Sequence, residues 1–173
     1  TTDHVHGGAL AIEHFATSGH RRVGLVASQG SPTSEHLRKG WDHVIERSDL
    51  TCTVNRDLDL ESTPQRSRHA LIRQLLEECR ATHTTALLVH SDRQAVLVQQ
   101  YARENGWRIP EDLTIMAYDD EIAATADPPM SALSPPKTDV GRVAMELLLA
   151  RLKDGGSRPR QRVYLLPELR RRG

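Results

Sequence analysis

The sequence predicts an α/β fold, in which a parallel sheet is flanked by helices on both faces in a Rossmann-like, doubly wound arrangement. Short runs rich in valine, leucine and isoleucine alternate with longer stretches of helical periodicity. Strands separated by helices form repeated βα units, and such units build a parallel sheet that is covered on both faces. Polar residues follow several of the apolar runs, at the edge where open sheets of this kind bind ligands.

Three helices and two strands are expected before residue 81. Apolar and small side chains at helical spacing, closed by Gly19, predict the first helix, and the apolar run after it predicts the first strand. A β-branched run predicts the second strand, and Thr63-Pro64 begins the third helix because proline fits the first helical turn. The expected elements are helices over 9–18, 33–47 and 63–80 and strands over 22–27 and 50–60.

Three strands and two helices are expected in the remainder. Ser91-Asp92 should cap the fourth helix, which ends at Gly106. Further on, Pro128-Pro129 and Pro135-Pro136 make the chain a stiff connector, since proline fixes φ and favours an extended residue before it. Thr138 should cap a last helix that carries a stripe of leucine and valine. The expected elements are strands over 84–90, 113–118 and 162–166 and helices over 92–106 and 139–153.

Composition excludes several classes of function. The 173 residues carry no net charge and 3% aromatic residues, so nucleic-acid binding by this chain itself is not expected. Cys52 and Cys79 show no CxxC spacing and are expected to be reduced thiols of a cytoplasmic protein. There is no signal peptide and no long apolar segment, so a membrane partner is not expected. The start, which lacks an initiator methionine and leads straight into a helix, suggests a fragment, and the arginine run near the end is expected to be solvated.

Two carboxylates stand directly after the predicted strand 113–118. Asp119 and Asp120 would face the crevice beyond the strand ends, where a carboxylate can accept several hydrogen bonds from a ligand. For Asp119 this role and a structural role, capping the following turn, are both open, whereas for Asp120 the cap is favoured. Ser91 has the same two options, and helix capping is favoured for Asp92.

Short motifs follow one another in a definite order along the chain. They are GHRRVGL from Gly19, RKGW from Arg38, TALLVHSD from Thr85, IPEDLTI from Ile109, YDD from Tyr118, PPMSAL from Pro128 and LPEL from Leu166. In this order they resemble the effector-binding domain of LacI/GalR-type (lactose-repressor-like) bacterial transcription regulators.

The resemblance implies a type I periplasmic-binding-protein-like fold, with two α/β lobes joined by three crossings and a small molecule in the cleft. Residues 1–133 would be the second lobe, 134–160 a crossover and helix belonging to the first lobe, and 161–173 a return strand and tail. The effector would be a sugar, a sugar derivative or a nucleobase, with no cofactor. The resemblance also implies a homodimer, formed in part by helix 92–106 and the loop after Asp120. Operator DNA would be bound only through a helix-turn-helix module missing here.

The resemblance assigns effector binding to Asp119 and Ser91, and the loop and helix start facing the cleft add Ser31 and Ser34. Ser91 stands where the family usually has asparagine, so it offers less reach. The family's arginine three residues before the glycine of the RKGW motif is replaced by Leu37. Either Arg38 or His36 takes its place, or this two-pronged contact is absent.

Two other functions compete with a sensor. A periplasmic sugar-binding protein of a transporter has the same fold but needs an export signal. An enzyme could use the two aspartates to hold Mg²⁺ or accept a phosphoryl group, but the sequence has no P-loop and no recognisable Ser-His-Asp order. His4 and His6 form a tight pair without a recognisable third ligand. No catalytic residue and no metal ligand is therefore expected.

If the first lobe is absent, the apolar stripe of helix 138–154 has nothing to pack on. A patch of this kind is rarely left exposed by soluble monomers. This helix is therefore expected to be displaced, disordered or buried against a second copy.

Overall fold

A computed structural model of the chain describes residues 1–155 and 157–172, which form one six-stranded sheet with helices on both faces. The strand order is β2-β1-β3-β4-β5-β6; the first five strands are mutually parallel, and β6 runs antiparallel to β5. The strands are β1 (Arg22–Ser28), β2 (Thr51–Leu58), β3 (Ala86–His90), β4 (Thr114–Tyr118), β5 (Ala132–Ser134) and β6 (Glu168–Arg170). The predicted parallel α/β architecture is confirmed.

Among the described residues, five helices flank the sheet. They are α1 (His4–Thr17), α2 (Pro32–Ile45), α3 (Gln65–Ala81), α4 (Asp92–Glu104) and α5 (Lys137–Lys153), with a short 3₁₀ turn at Ala123–Thr125. One apolar core lies between the sheet and α3 with α4, and a second core, centred on Phe15 and Trp41, lies under α1 and α2. This two-sided burial explains the unbroken apolar runs of β1, β3 and β4, because both faces of those strands are covered.

Helices α1 and α2 touch through two glycines. A Cβ atom at Gly40 would lie 1.7 Å from the carbonyl oxygen of Val5, and one at Gly8 would lie 2.1 Å from that of Leu37. No side chain fits at either point, since the neighbouring atom is backbone and cannot rotate away. The two glycines bring the helices into backbone contact and fix the position of α2 at the strand ends.

The last predicted strand is wrong in its position. Residues 162–166 form no strand; their backbone pairs with the start of the chain, through Thr1 N to Val163 O at 2.9 Å, Leu165 N to Thr1 O at 2.9 Å and Asp3 N to Leu165 O at 2.8 Å. Only a single bridge between Thr2 and Leu165 results, and the strand follows as β6. The apolar run 163–166 is typical of a strand, but the segment that it contacts, at the start of the chain, forms only this one bridge with it.

Three helix starts also differ from the prediction. Helix α3 begins at Gln65, so Pro64 precedes the helix and does not lie in its first turn. Helix α1 begins at His4, because Asp3 Oδ1 accepts a hydrogen bond from His6 N at 2.9 Å and so caps it. Helix α5 begins at Lys137, directly after Pro136, so Thr138 lies inside it and does not cap it. His4 and His6 consequently lie two residues apart on a helix and do not face the same way.

Helix α5, which the structure describes throughout, has no buried residue. Leu148, Leu149 and Leu152 are 51%, 50% and 69% exposed, and Met145 is 55% exposed. Val140, Val143 and Leu147 border a cavity of about 240 Å³ that the segment 161–165 closes on the other side. In a single chain the helix leaves its leucines exposed to solvent, and its displacement or disorder is not tested by this arrangement. Its assignment to another lobe, and its burial against a second copy, stay predictions.

Candidate functional site

The candidate site lies at the edge of the sheet where β1, β3 and β4 end. Asp119 follows β4, and its side chain is 23% exposed. Its carboxylate lies 3.7 Å from His90 Nε2 and 3.6 Å from Lys137 Nζ, beyond direct hydrogen-bond distance from both. Its backbone has a φ of 105°, a conformation that a residue with a side chain rarely adopts. Such a conformation at a cleft is typical of functional residues, because the surrounding structure must hold it against strain.

His90, the last residue of β3, forms the floor of the site beside Asp119. Its side chain is only 6% exposed. Its Nδ1 forms a hydrogen bond with Ser34 Oγ at 3.0 Å, and Ser34 Oγ in turn donates to Ser28 O at 2.8 Å. Burial lowers the pKa of His90 below its ordinary value of 6.5, and the charge of Asp119 opposes this effect. The imidazole is therefore a neutral, fixed group that opens toward Asp119.

Tyr118 and His4 support this floor from below. The phenol oxygen of Tyr118 and His4 Nδ1 form a hydrogen bond at 2.6 Å, and the rings of Tyr118 and His90 meet edge-on at 5.4 Å. Burial raises the pKa of Tyr118, and the charges of Asp119 and Asp3 raise it further, so the phenol stays protonated. His4 has a lowered pKa, chiefly because of burial. Helix α1 is thereby tied to the site through one side chain.

Charged side chains form the exposed rim. Lys137, at the start of α5, lies 2.5 Å from Glu121 Oε1, and Arg93 lies 3.9 Å from Glu121 Oε2. Burial alone would lower the pKa of Lys137, but the hydrogen bond to Glu121 and the negative charges of Asp119 and Glu121 together leave the pKa raised. The same hydrogen bond lowers the pKa of Glu121. The rim therefore carries paired charges at neutral pH.

The structure brings the predicted Asp119, Ser34 and Ser91 to this edge of the sheet. Ser34 is 7% exposed, and its hydroxyl is engaged by Ser28 O and His90, so it reaches the cleft through His90. Ser91 makes no side-chain cap on α4; its hydroxyl donates to Glu61 Oε1 at 2.7 Å. Helix capping by Ser91 is therefore wrong.

Arg38, Ser31 and His36 lie on or beside α2. The Arg38 guanidinium forms a hydrogen bond with Asn55 and lies 2.5 Å from Asp57 Oδ1, both on β2, and its side chain is 26% exposed. Ser31 precedes α2 and makes no side-chain cap. His36 is exposed and lies 3.0 Å from Pro32 O. Leu37, in the place of the family's arginine, is fully buried in the core. The side chain at that position thus supports packing.

Asp92 and Asp120 have other roles than those predicted. The Asp92 carboxylate is 1% exposed, and its Oδ2 accepts from the backbone N–H groups of Glu121, Ile122 and Ala123 at 2.6, 2.6 and 3.3 Å. Helix capping at the start of α4 is thus wrong for Asp92, because it caps the 3₁₀ turn after β4. This contact holds the loop that follows Asp119.

Asp120 does not cap the following turn; it forms a two-pronged pair with Arg172 at 2.6 and 3.0 Å. Arg172 also donates to Met130 O at 3.0 Å, and its backbone N–H donates to Ser131 Oγ at 2.9 Å. The prediction that the terminal arginines are solvated is wrong for Arg172, because this pair and these bonds hold it against β5.

Ser34, His90 and Asp119 lie in series, with His90 between the other two, although no such set was recognised in the sequence. They do not form a hydrolytic triad. The Ser34 hydroxyl is buried and directs its hydrogen to a backbone carbonyl, so it is not an accessible nucleophile. Within residues 1–155 and 157–172, no cluster of three His, Cys, Asp or Glu side chains could hold a metal ion.

A cavity of about 380 Å³ lies at the opposite edge of the sheet. It is bordered by the start of β4 at Thr114, by Ser131 before β5 and by Arg171. It includes neither Asp119 nor His90, so it is separate from the candidate site.

Comparison with known proteins identifies the class. The family model of the periplasmic binding protein-like domain matches residues 12–173. The HTH-type transcriptional repressor PurR of Haemophilus influenzae is 30% identical over 167 residues, which are 94% of this chain and 49% of that protein. The ribose operon repressor of the same species is 32% identical over 151 residues, 86% of this chain and 44% of that protein. The chain thus spans about half the length of the curated relatives it matches.

Solved structures agree. A complex of the transcriptional regulator CelR with cellobiose has a TM-score of 0.82 and 26% identity, and covers 99% of this chain and 52% of its own. A lactose repressor bound to the anti-inducer ONPF has a TM-score of 0.84 at 24% identity, with 99% and 62% covered, and shows the same fold.

The chain belongs to the periplasmic binding protein-like domain family. Within it, the chain is similar to named transcriptional repressors and to a transcriptional regulator of known structure, in the direction its motifs indicated. The relatives are named as transcriptional repressors, which favours a regulator over a transporter's sugar-binding protein. Across the described residues, the structure contains no helix long and apolar enough to cross a membrane.

Sequence reasoning missed His90, Tyr118 and Lys137. His90 had a usable signal, because it ends a buried apolar run just as Asp119 follows one, and the rule that selected Asp119 selects His90 as well. Lys137 had no such sequence signal, because it begins α5 and approaches Asp119 only in the folded chain.

Proposed function

We propose that this chain senses a small molecule for a bacterial transcription regulator and passes the binding event to a DNA-binding module elsewhere in the protein. The observation that carries this is Asp119. It lies at the end of a buried strand in a strained backbone conformation, with a carboxylate that is partly exposed and not saturated by direct hydrogen bonds. Relatives with repressor names and the same fold support a regulatory role.

Asp119 accepts hydrogen bonds from the effector, and Ser91 and Ser31, which precede α4 and α2, add hydroxyl contacts. Ser34 acts by fixing His90. Arg38 contacts the effector only if it leaves Asp57, because its guanidinium is engaged there. The effector is a sugar, a sugar derivative or a nucleobase, and the site has no catalytic role.

The mechanism is a population shift. A small molecule that binds the closed cleft more tightly than the open one changes the orientation of the two lobes. In a homodimer, that change alters the spacing of the operator-binding modules. We propose that residues 1–133 form one lobe, that 134–160 cross to the other, that 161–173 return, and that α4 with the loop after Asp120 contributes to the dimer surface. A regulator of operator DNA works in the cytoplasm.

The test is a thermal-shift screen of the complete protein against ribose, cellobiose, other sugars, sugar phosphates, polyols and nucleobases. An effector at 100 times its Kd adds about 2.7 kcal/mol to the free energy of unfolding, which such a screen detects. Asp119→Ala should abolish the shift. Asp49→Ala, an exposed residue before β2 with the same loss of charge, should retain it.

Two results would contradict the proposal. One is a bound effector whose stabilisation is the same in Asp119→Ala as in the unmodified protein. The other is the absence of stabilisation by every compound, which would point to a protein partner in place of a small molecule.

A further inference from the structure

His90 is surrounded by groups from several elements. The neighbours that carry charge or hydrogen-bonding atoms are Ser34 of α2, Tyr118 of β4, Asp119 after β4, His4 of α1, Glu61 after β2 and Asp92 of α4. Among them, Ser34 contacts Nδ1 and Asp119 faces Nε2. The two ring nitrogens therefore meet different chemistry.

The hydrogen on Nδ1 can be located by counting donors. Ser34 Oγ lies 2.8 Å from Ser28 O and 3.0 Å from His90 Nδ1. A carbonyl oxygen only accepts, and a hydroxyl has one hydrogen, so Ser34 donates to Ser28 O. Its oxygen can then only accept from His90, which requires a hydrogen on Nδ1. The opposite tautomer would leave two oxygens facing each other at 2.8 Å with no hydrogen between them.

Nε2 is consequently bare in the neutral ring. Burial lowers the pKa of His90 below 6.5, so at about pH 7 the imidazole holds one hydrogen, and that hydrogen is on Nδ1. The lone pair of Nε2 then faces Asp119 Oδ2 at 3.7 Å. Both atoms accept hydrogen bonds and neither donates, so a ligand group that donates hydrogen bonds would satisfy both of them.

We infer that His90 is a specificity-determining residue of the cleft, and that Nε2 and the Asp119 carboxylate together accept hydrogen-bond donors of the effector. This rests on the proposed function. The effector presents O–H or N–H groups at this point. A carboxylate or phosphate there would face two acceptors, one of them negatively charged, and is rejected. The charge of Glu61 adds to this rejection, whereas the charge of Glu121 is offset by its pair with Lys137.

A proton competes for the same place. When His90 is protonated, Nε2 carries a hydrogen and pairs with Asp119, so the acceptor pair is no longer open to the effector. The affinity for the effector therefore falls as the pH drops through the pKa of His90, while Ser34 continues to hold Nδ1.

The first experiment reads the tautomer directly. Two-bond ¹H–¹⁵N spectra of the complete protein, labelled in histidine, distinguish protonated from bare ring nitrogens. We expect Nδ1–H and a bare Nε2 for His90 near neutral pH. In Ser34→Ala the partner of Nδ1 is lost, and the hydrogen should move to Nε2, where Asp119 accepts it. A hydrogen on Nε2 in the unmodified protein would overturn the inference.

The second experiment tests the contact, with ribose, cellobiose and adenine as neutral probes and ribonate and cellobionate as their acidic counterparts. A bound neutral probe should shift the Nε2 resonance, and His90→Asn, which keeps a donor for Ser34, should weaken its binding about tenfold. His43→Asn, on the exposed face of α2, is the matched control and should bind as before.

The outcomes separate the two proposals. A probe that binds with neither a shift at Nε2 nor a loss in His90→Asn, or an acid that binds as tightly as its neutral counterpart, overturns the role of His90 and leaves the sensor intact. If no compound of the thermal-shift screen binds, the proposed function fails, and the tautomer experiment still decides the state of His90.

Discussion

Replacing Asp92 should destabilise the protein more than any exposed aspartate does. Its buried Oδ2 accepts from three backbone N–H groups of residues 121–123, two of them at 2.6 Å and one at 3.3 Å. A hydrogen bond to a charged group stabilises by about 1.5–3 kcal/mol, and the two short bonds dominate. Asp92→Ala should therefore lower the free energy of unfolding by about 4 kcal/mol, and Asp92→Asn, which keeps one carbonyl oxygen, by roughly half as much.

Urea denaturation followed by circular dichroism measures this loss. In a thermal scan it corresponds to a fall in Tm of roughly 8–16 °C for a chain of this size. Asp127→Ala is the control, because its side chain is 95% exposed and its ion pair with Arg103 lies at the surface, so a change within about 0.5 kcal/mol is expected. A loss below about 1 kcal/mol in Asp92→Ala would refute the reasoning, since it would mean that water replaces the carboxylate at little cost.

Three further predictions concern packing, the terminal tail and pH. Gly40→Ala should lower the free energy of unfolding by about 3 kcal/mol or more, because the new Cβ meets the Val5 carbonyl. As the control, Gly141→Ala on the open face of α5 should raise it by up to about 1 kcal/mol. Equal effects of the two substitutions in urea denaturation would contradict this prediction. Arg172→Ala should lower the free energy of unfolding by about 2 kcal/mol, because it leaves Asp120 unpaired. Replacing the exposed Arg171 by alanine should lower it by about 0.5 kcal/mol or less. The same loss in both variants would show that the Arg172–Asp120 pair contributes nothing to stability. Burial holds the pKa of His90 below 6.5, so the unfolded chain binds a proton first as the pH falls. Stability should therefore decrease as the pH drops below about 6.5, with a shallower slope in His90→Asn; an unchanged slope would exclude His90 as a cause.

The sheet could be predicted because its signal is local. Each buried strand is an apolar run, and each helix has its own periodicity. A sheet that is covered on both faces is compatible with few other folds. Asp119 was found by the same logic, because a polar residue at the end of a buried strand must face the crevice. His90 obeys that rule equally well, since it is the last residue of its buried strand.

The remaining contacts could not be predicted because they join distant parts of the chain. Arg172 lies 52 residues beyond Asp120, and nothing in either segment indicates the other. Asp92 looks like the first residue of a capped helix, and only the folded position of residues 121–123 shows that it serves another loop. The strand predicted at 162–166 failed for a related reason, since its pairing depends on the first three residues of the chain.

The pairing of Thr2 with Leu165 has a mechanical consequence. It fastens the start of the chain to the segment that returns from α5, while β5, which leads into α5, is paired with β6 next to it. Three main-chain segments are thus linked at this edge: the start of the chain, the segment that enters α5 and the segment that returns from it. We expect α5 to turn about the sheet only together with all three. His4 follows directly and is bonded to Tyr118 beneath His90. We therefore expect a rotation of α5 to be felt, through these few residues, at the floor of the cleft.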